Sequence, residues 1–319
     1  MTRYLIRRTL VAIPVLLVIS ALIFGILALA PGDPMSAFAT DPSISAEVRA
    51  NIRSSFGLDE PLPARYLKWL AAFVQGDMGY SFASRSPVSG LLGQRLTTTL
   101  AVVGTAYLIS VVLAIPLGLV AALRPYSFFD QLTSTLAFVG FSLPTFFTGL
   151  LLIIVFSVRL GWFPFIYNST LVVTDWGSLL AQVRQSVLPS TVLALFQTAT
   201  LMRFMRSAAL ETFAKEFVRT ARAKGLRERS VVGRHVFRNA LIPVVTLVAL
   251  GIPGIFTGAL ITEQVFRVPG IGSLLVSGIQ TSDTPVVMAI TCIYAILIVG
   301  FNLVADLLYG VLDPRVRYG

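Results

Sequence analysis

The sequence predicts an all-α integral membrane protein with six transmembrane helices and a small external helical segment after the first span. Three observations carry this. The 319 residues are 55% hydrophobic and only 13% charged, roughly half the charge of a soluble domain. Apolar runs of about 20 residues, enough to cross a bilayer as helix, recur along the chain. The basic residues collect in segments that an even number of spans places on one side.

Composition also excludes. A net charge of +10 points to nucleic acid in a soluble chain, but here the retention of Lys and Arg on the cytoplasmic side accounts for it. Cys292 is the single cysteine and lies in an apolar run, so no intrachain disulfide forms. His235 is the single histidine, which rules out a multi-histidine metal site.

Taking the elements in order, Arg3, Arg7 and Arg8 precede an apolar run from about Thr9 to Ala30. Ala28-Leu29-Ala30 resembles a cleavage site, yet the run is longer than the apolar region of a signal peptide, so a retained first span is expected. Between Pro31 and Arg95 six basic residues balance six acidic ones, a lack of positive bias that suits the outer face. Short helices are expected there over Ser45–Phe56, with Ser45 as N-cap, and over Pro63–Gln75, with Leu67, Leu70, Ala71 and Val74 as an apolar stripe.

The second span is expected at about Thr98–Leu123, interrupted by Pro116 and Gly118, and is followed by a turn at Arg124. The third runs about Leu132–Val158. An outer loop, Arg159–Arg184, carries the interfacial aromatics Trp162, Tyr167 and Trp176. The fourth span starts near Ser186, with Pro189 in its first turn, and ends near Met202. The fifth covers about Leu241–Ile261, a second outer loop Glu263–Thr284, and the sixth about Pro285–Leu303, before a tail with Arg315 and Arg317. Six spans put both termini, the turn at 124 and the segment 203–238 on the cytoplasmic side.

That segment is the polar centre of the chain, with ten Lys/Arg against three Asp/Glu between Arg203 and Arg238. Leu210, Phe213, Ala214, Phe217, Val218 and Ala221 recur at helical spacing, with Glu211, Lys215, Arg219 and Arg222 opposite, which predicts an amphipathic helix. Gly225 breaks the pattern. A second short helix is expected over Glu228–Asn239, with Val232, Val236 and Phe237 on one side, before the chain re-enters the membrane at Leu241-Ile242-Pro243. Two short helices hinged at Gly225 and held by spans at both ends would transmit rigid-body motion. Amphipathicity alone is equally compatible with a basic loop facing lipid headgroups. Nucleic acid fits poorly, because acids alternate with the bases and no aromatic stacking groups are interleaved.

The sequence holds no P-loop, no Ser/His/Asp arrangement and no paired carboxylates, so neither an ATPase nor another enzyme is expected. Charged residues are missing from the span centres, which weakens an ion-coupled carrier working alone. Polar and helix-bending residues gather at Ser142, Pro144, Thr145 and Thr148, at Gln197, and at Gly251, Pro253, Gly254 and Thr257. Ser142, Thr145, Gln197 and Thr257 are the candidates for a neutral translocation pathway. The competing reading is ordinary helix packing through small residues. A stand-alone secondary transporter or channel, and a scaffold subunit without a pathway, stay open at this point.

Arg219-Thr220-Ala221-Arg222-Ala223-Lys224-Gly225-Leu226, followed by RHVFRNALIPVVT, resembles the cytoplasmic EAA loop of ATP-binding-cassette (ABC) importer permeases. The glutamate and first alanine of the general motif are replaced by Arg219 and Thr220, and the proline comes later, as in the dipeptide/oligopeptide/nickel permease family. ALAPGDP, GLDEPLPARYLKWL, GDMGYS, PLGLVAALRP, FSLPTFFTGLLL, FSVRLGWFP, VFRVPGIGSLL and LDPRVR extend the resemblance over nearly the whole chain.

The resemblance implies the type I ABC importer permease fold, in the plasma membrane of a prokaryote. Residues 1–30 would form the cytoplasmic N-terminus and first span, and 31–95 the external segment. Residues 96–308 would form a five-helix core with coupling loop 203–240, and 309–319 a cytoplasmic tail. The loop would dock on a cytoplasmic ATPase through Phe217, Arg219, Thr220, Ala221, Arg222, Ala223, Lys224, Gly225 and Leu226, with Ala221, Ala223 and Gly225 allowing close approach. The implied partners are a second permease subunit, two ATP-binding subunits holding ATP and magnesium, an external solute-binding protein and membrane lipid. This chain itself would bind no cofactor. Peptides or a similar small polar solute would be the substrate.

Overall fold

A computed structural model describes residues 2–29, 47, 59–257 and 259–312. Apart from an isolated bridge between Tyr80 and Pro87, its regular elements are helices. They are α1 (Thr2–Leu29), α2 (Leu62–Val74), α3 (Val88–Thr99), α4 (Thr105–Leu123), α5 (Phe128–Ser142), α6 (Thr145–Leu152), α7 (Trp176–Phe213), α8 (Glu216–Ala223), α9 (Arg238–Thr257), α10 (Leu260–Phe266), α11 (Ile271–Gln280) and α12 (Thr284–Leu312). Wider π-helical turns at Leu100–Gly104, Ile153–Arg159 and Val231–Phe237 join or extend them.

Five helices among the described residues are long and apolar enough to cross a membrane: Arg7–Leu29, Val88–Leu123, Trp176–Phe213, Glu228–Phe256 and Thr284–Leu307. Phe128–Gly140 and Thr145–Arg159, bent by 102°, add a sixth where the two halves form one broken span. The break has a local cause. Leu143 precedes Pro144 and is extended (ψ 131°), since a residue before proline is sterically driven out of the helical region. The stretch expected as the third span, Leu132–Val158, is therefore divided between α5 and α6 with its π-helical extension.

Two compact units emerge, one built on α1–α3, α11 and the first part of α12, the other on α4–α10 and the end of α12. In the first unit Val88, Leu92, Ile271, Val286, Ala289 and Ile290 form the core. Asp283, just ahead of α12, accepts hydrogen bonds from the Ser81 hydroxyl (2.5 Å) and the backbone N–H groups of Phe82 (3.2 Å) and Ala83 (3.1 Å). The expected helix Pro63–Gln75 corresponds to α2; Ser45–Phe56 and the tail beyond 312 lie outside the described residues.

In the second unit α4 and α7 are the most intimate pair. A methyl group on Gly118 would lie 2.6 Å from the Met202 carbonyl oxygen and 2.7 Å from Met205 Cβ, so only glycine lets the backbones approach this closely. Ala114, Ala121, Ala137 and Ala199 continue the small-residue contact beside Leu201 and Met202. Helix α7 is longer than the expected Ser186–Met202. Asp175 caps it by accepting from Ser178 N–H (2.7 Å), while the Ser178 hydroxyl accepts from Asp175 N–H (3.0 Å), a reciprocal box that starts the helix eleven residues before Ser186. Pro189 thus sits inside the helix. At 38 residues α7 is about 57 Å long, well beyond the roughly 30 Å hydrocarbon core.

The fifth span also shifts. It begins at Glu228, passes Pro243 without ending, and is over by Thr257; Ala259 turns the chain into α10. There Glu263 is buried and accepts from the Thr99 hydroxyl at 3.0 Å.

Candidate functional site

Two features of the second unit are candidates: the loop between α7 and α9, and the cavities among α4–α10. The loop is a packed block. Val218 and Ala221 of α8, with Val231 and Val236 of the π-helical turn, are buried against Met205 and Ala209 of α7, Ala122 of α4, and Ala240 and Val244 of α9. These contacts tie the loop to the inner portions of three helices.

This arrangement divides the expected apolar face. The helix expected through Leu210 and Ala221 is two helices, because α7 ends at Phe213 and α8 starts at Glu216 after an extended Lys215. Val218 and Ala221 turn inward, while Phe217 stays 40% exposed. Phe217, Thr220 and Lys224, at three- and four-residue spacing, share the outward face. Ala221 is therefore a contact within this chain rather than a small exposed residue; Ala223 and Gly225 are exposed. On the second arm Val231 and Val236 are buried, whereas Val232 is only half-buried.

Gly225 does more than interrupt a pattern. It is left-handed (φ +74°), its N–H reaches the Arg222 carbonyl (2.9 Å), and Leu226 N–H reaches the Ala221 carbonyl (3.3 Å). Those two bonds close a Schellman cap with glycine at C′. The junction is a hydrogen-bonded stop, not a free hinge.

Ion pairs hold two of the three cations between Arg219 and Lys224. Arg219 pairs with Glu216 (2.8 Å) and Arg222 with Glu228 (2.7 Å), and Arg222 also lies 5.7 Å from the Phe213 ring centroid. Donation to the Glu228 carboxylate raises the Arg222 pKa. Arg222 thus staples α8 across the glycine turn, and Lys224 is the exposed cation of this face without an ion pair among the described residues.

A cavity of about 890 Å³ lies among α4, α5, α6 and α7, and a second of about 370 Å³ is bordered by α4, α7, α9 and α10. Thr145 lines both, and Gln197 lines the smaller one. Ser142 lines neither and is exposed at the end of α5. Thr257 ends α9, and its side chain lies outside the described residues. Among the described residues, no acidic or basic side chain lines either cavity.

Two features escaped the sequence reading. Tyr107 lines the smaller cavity and donates to the Val248 carbonyl at 2.5 Å, joining α4 to α9. Asp130, buried at the start of α5, makes a two-pronged ion pair with Arg206 of α7 at 2.6 and 2.7 Å. A lone aspartate just after a short turn and a pair of arginines, Arg203 and Arg206, near a helix end were the available signals.

Residues 114–318 match the family described as binding-protein-dependent transport system inner membrane component, and residues 1–103 match the family described as the N-terminal part of such a membrane component. The chain belongs to this family. It is 43% identical over 319 residues, covering all of both chains, to the oligopeptide transport system permease protein AppB of Bacillus subtilis (strain 168). It is 42% identical over 321 residues, 99% of each chain, to a putative peptide permease protein of Brucella suis biovar 1. It is 36% identical over 318 residues, again all of both, to the glutathione transport system permease protein GsiC of Salmonella paratyphi A. The permease is a multi-pass membrane subunit of an ABC importer and not an enzyme.

Proposed function

We propose that the permease forms half of a translocation pathway for peptides or a similar small polar solute, and that α8 with the turn to Leu226 is where a cytoplasmic ATPase drives it. The permease would then cross the plasma membrane of a prokaryote six times, with the α5–α6 pair as one span and both termini cytoplasmic. Its domain division is a first span within 1–30, an external segment 31–95, a core 96–308 with coupling loop 203–240, and a tail 309–319. A second permease subunit completes a heterodimer, two ATP-binding subunits supply ATP and magnesium chemistry, and an external solute-binding protein delivers substrate. This chain holds no cofactor.

One observation carries the reading: the loop is fastened inward by Val218, Ala221, Val231 and Val236 while Phe217 and Leu226, 40% and 43% exposed, remain outside with Thr220, Ala223 and Lys224. An exposed aromatic beside exposed small and basic residues suits a protein contact, and the inward packing passes a push to α4, α7 and α9. Arg219, Arg222 and Gly225 shape and frame that face. Thr145 and Gln197 supply neutral hydrogen-bonding groups at the cavities; Ser142 and Thr257 stand at the C-terminal ends of α5 and α9. The related permeases named for oligopeptide, peptide and glutathione transport support a peptide-like cargo.

The test is reconstitution of the permease with its partner subunits. Phe217→Asp should abolish uptake and release the ATPases during purification, with membrane insertion unchanged. Uptake that persists without any ATPase would overturn the reading.

A further inference from the structure

The amphipathic helix α2 plays no part in the function proposed above, and its surroundings identify what it touches. Tyr66, Trp69 and Phe73 form an aromatic row at helical spacing, of which Tyr66 and Trp69 pack against α1. The Tyr66 hydroxyl is 2.8 Å from Ser20 Oγ, and the Tyr66 and Trp69 rings lie 5.6 and 6.4 Å from the Phe24 ring. Trp69 stacks on Phe73 at 5.1 Å.

On one flank of that row Leu67 and Val74 are 62% and 77% exposed. Arg65, Lys68 and Gln75 occupy the other flank. At 100° per residue the apolar and polar stripes each lie roughly 120° from the α1-facing row, and roughly 120° from each other across the face turned away from α1. A helix packed beside a span, oily on one flank and polar on the other, has the build of an interfacial helix.

Depth decides the occupant. Phe24 and Ser20 lie roughly 8 and 14 Å along the axis from the Leu29 end of α1, inside the apolar stretch Arg7–Leu29. At that level α1 exposes Leu22 (59%) and Ile26 (67%), so the surface beside α2 is already the lipid-facing surface of a span.

We propose that α2 lies in the headgroup–acyl boundary of the bilayer beside α1, with Leu67 and Val74 among acyl chains and Lys68 and Gln75 toward water. With a cytoplasmic N-terminus this is the outer leaflet. Tyr66 and Trp69 then sit where amphipathic rings are enriched, and α2 fixes the level at which the external segment rests on the membrane.

The test uses the complete transporter in lipid nanodiscs, with Cys292 replaced by serine and single cysteines at Leu67→Cys, Val74→Cys, Lys68→Cys or Gln75→Cys carrying a nitroxide. Collision rates with oxygen, which concentrates in lipid, and with a water-soluble nickel chelate are read for each. Oxygen should dominate at 67 and 74, and nickel at 68 and 75. Nickel dominance at 67 and 74 would overturn the proposal in favour of water, and shielding from both reagents would overturn it in favour of a covering protein. Uptake by the same labelled transporters reports separately on the transport reading.

Discussion

Asp130 at the first turn of α5 and Arg206 near the end of α7 are joined by two parallel hydrogen-bonded contacts of 2.6 and 2.7 Å, the bidentate geometry that guanidinium and carboxylate favour. The partners are unequally placed: the Asp130 side chain is 3% exposed and that of Arg206 25%. Asp130 also accepts from Tyr126 N–H (2.8 Å) and the Ser134 hydroxyl (3.3 Å), so it fastens the turn after α4 as well. Removing Arg206 strands a buried carboxylate, whereas removing the charge of Asp130 leaves a guanidinium that can still reach water. Arg206→Gln should therefore cost about 3–5 kcal/mol and Asp130→Asn about 1–3 kcal/mol. Thermal midpoints of the purified permease should fall in the order wild type, Asp130→Asn, Arg206→Gln. Equal losses would contradict the asymmetry.

The α4–α7 crossing makes a sharper steric prediction. Gly118→Ala places its methyl within 2.7 Å of Met202 and Met205 backbone or Cβ atoms, none of them a flexible tip that can swing away. One helix must shift, at about 1–3 kcal/mol. Gly90→Ala in α3 is the control, since its methyl would meet nothing within 4 Å and alanine is the better helix former by about 1 kcal/mol. The two substitutions should move the thermal midpoint in opposite directions.

What the sequence made legible follows the reach of each signal. Apolar runs report where the chain can sit in lipid, so the existence of the spans and the basic bias of segment 203–238 could be read directly. Helix ends are set by hydrogen bonds, which continue past the apolar run. That is why α7 extends to Asp175 on one side and Phe213 on the other, through Gln182, Arg184, Arg203 and Arg206. Periodicity is also blind to a break that preserves phase. Phe213 and Phe217 are four apart whether or not the helix stops between them. Which of two adjacent residues, Phe217 or Val218, faces inward was decided by Met205 and Ala209 beneath them, and no local pattern contains that information.

In the first unit, the Asp283 carboxylate gathers three donors at a buried site. An asparagine can offer only one acceptor oxygen, so at least one of the Phe82 and Ala83 amides loses its partner, at about 1–3 kcal/mol. Asp283→Asn should raise hydrogen exchange across residues 78–87 by about tenfold or more, while exchange in α8 stays unchanged. Protection retained at Phe82 and Ala83 would mean that other acceptors hold this loop.

The Schellman cap at Gly225 separates two ways in which a substitution there can act. No atom lies within 4 Å of where its Cβ would be, so a larger side chain meets no steric obstacle. Its φ of +74° still penalises any residue with a Cβ by about 1–2 kcal/mol, least for asparagine. Gly225→Ala should therefore loosen the turn to Leu226, and Gly225→Asn should do so less. If the proposed ATPase contact depends on the fixed geometry of this turn, uptake per ATP hydrolysed by the reconstituted transporter should rank glycine above asparagine above alanine. A bulk effect would instead place both variants equally low, and that ranking would remove the cap from the coupling mechanism.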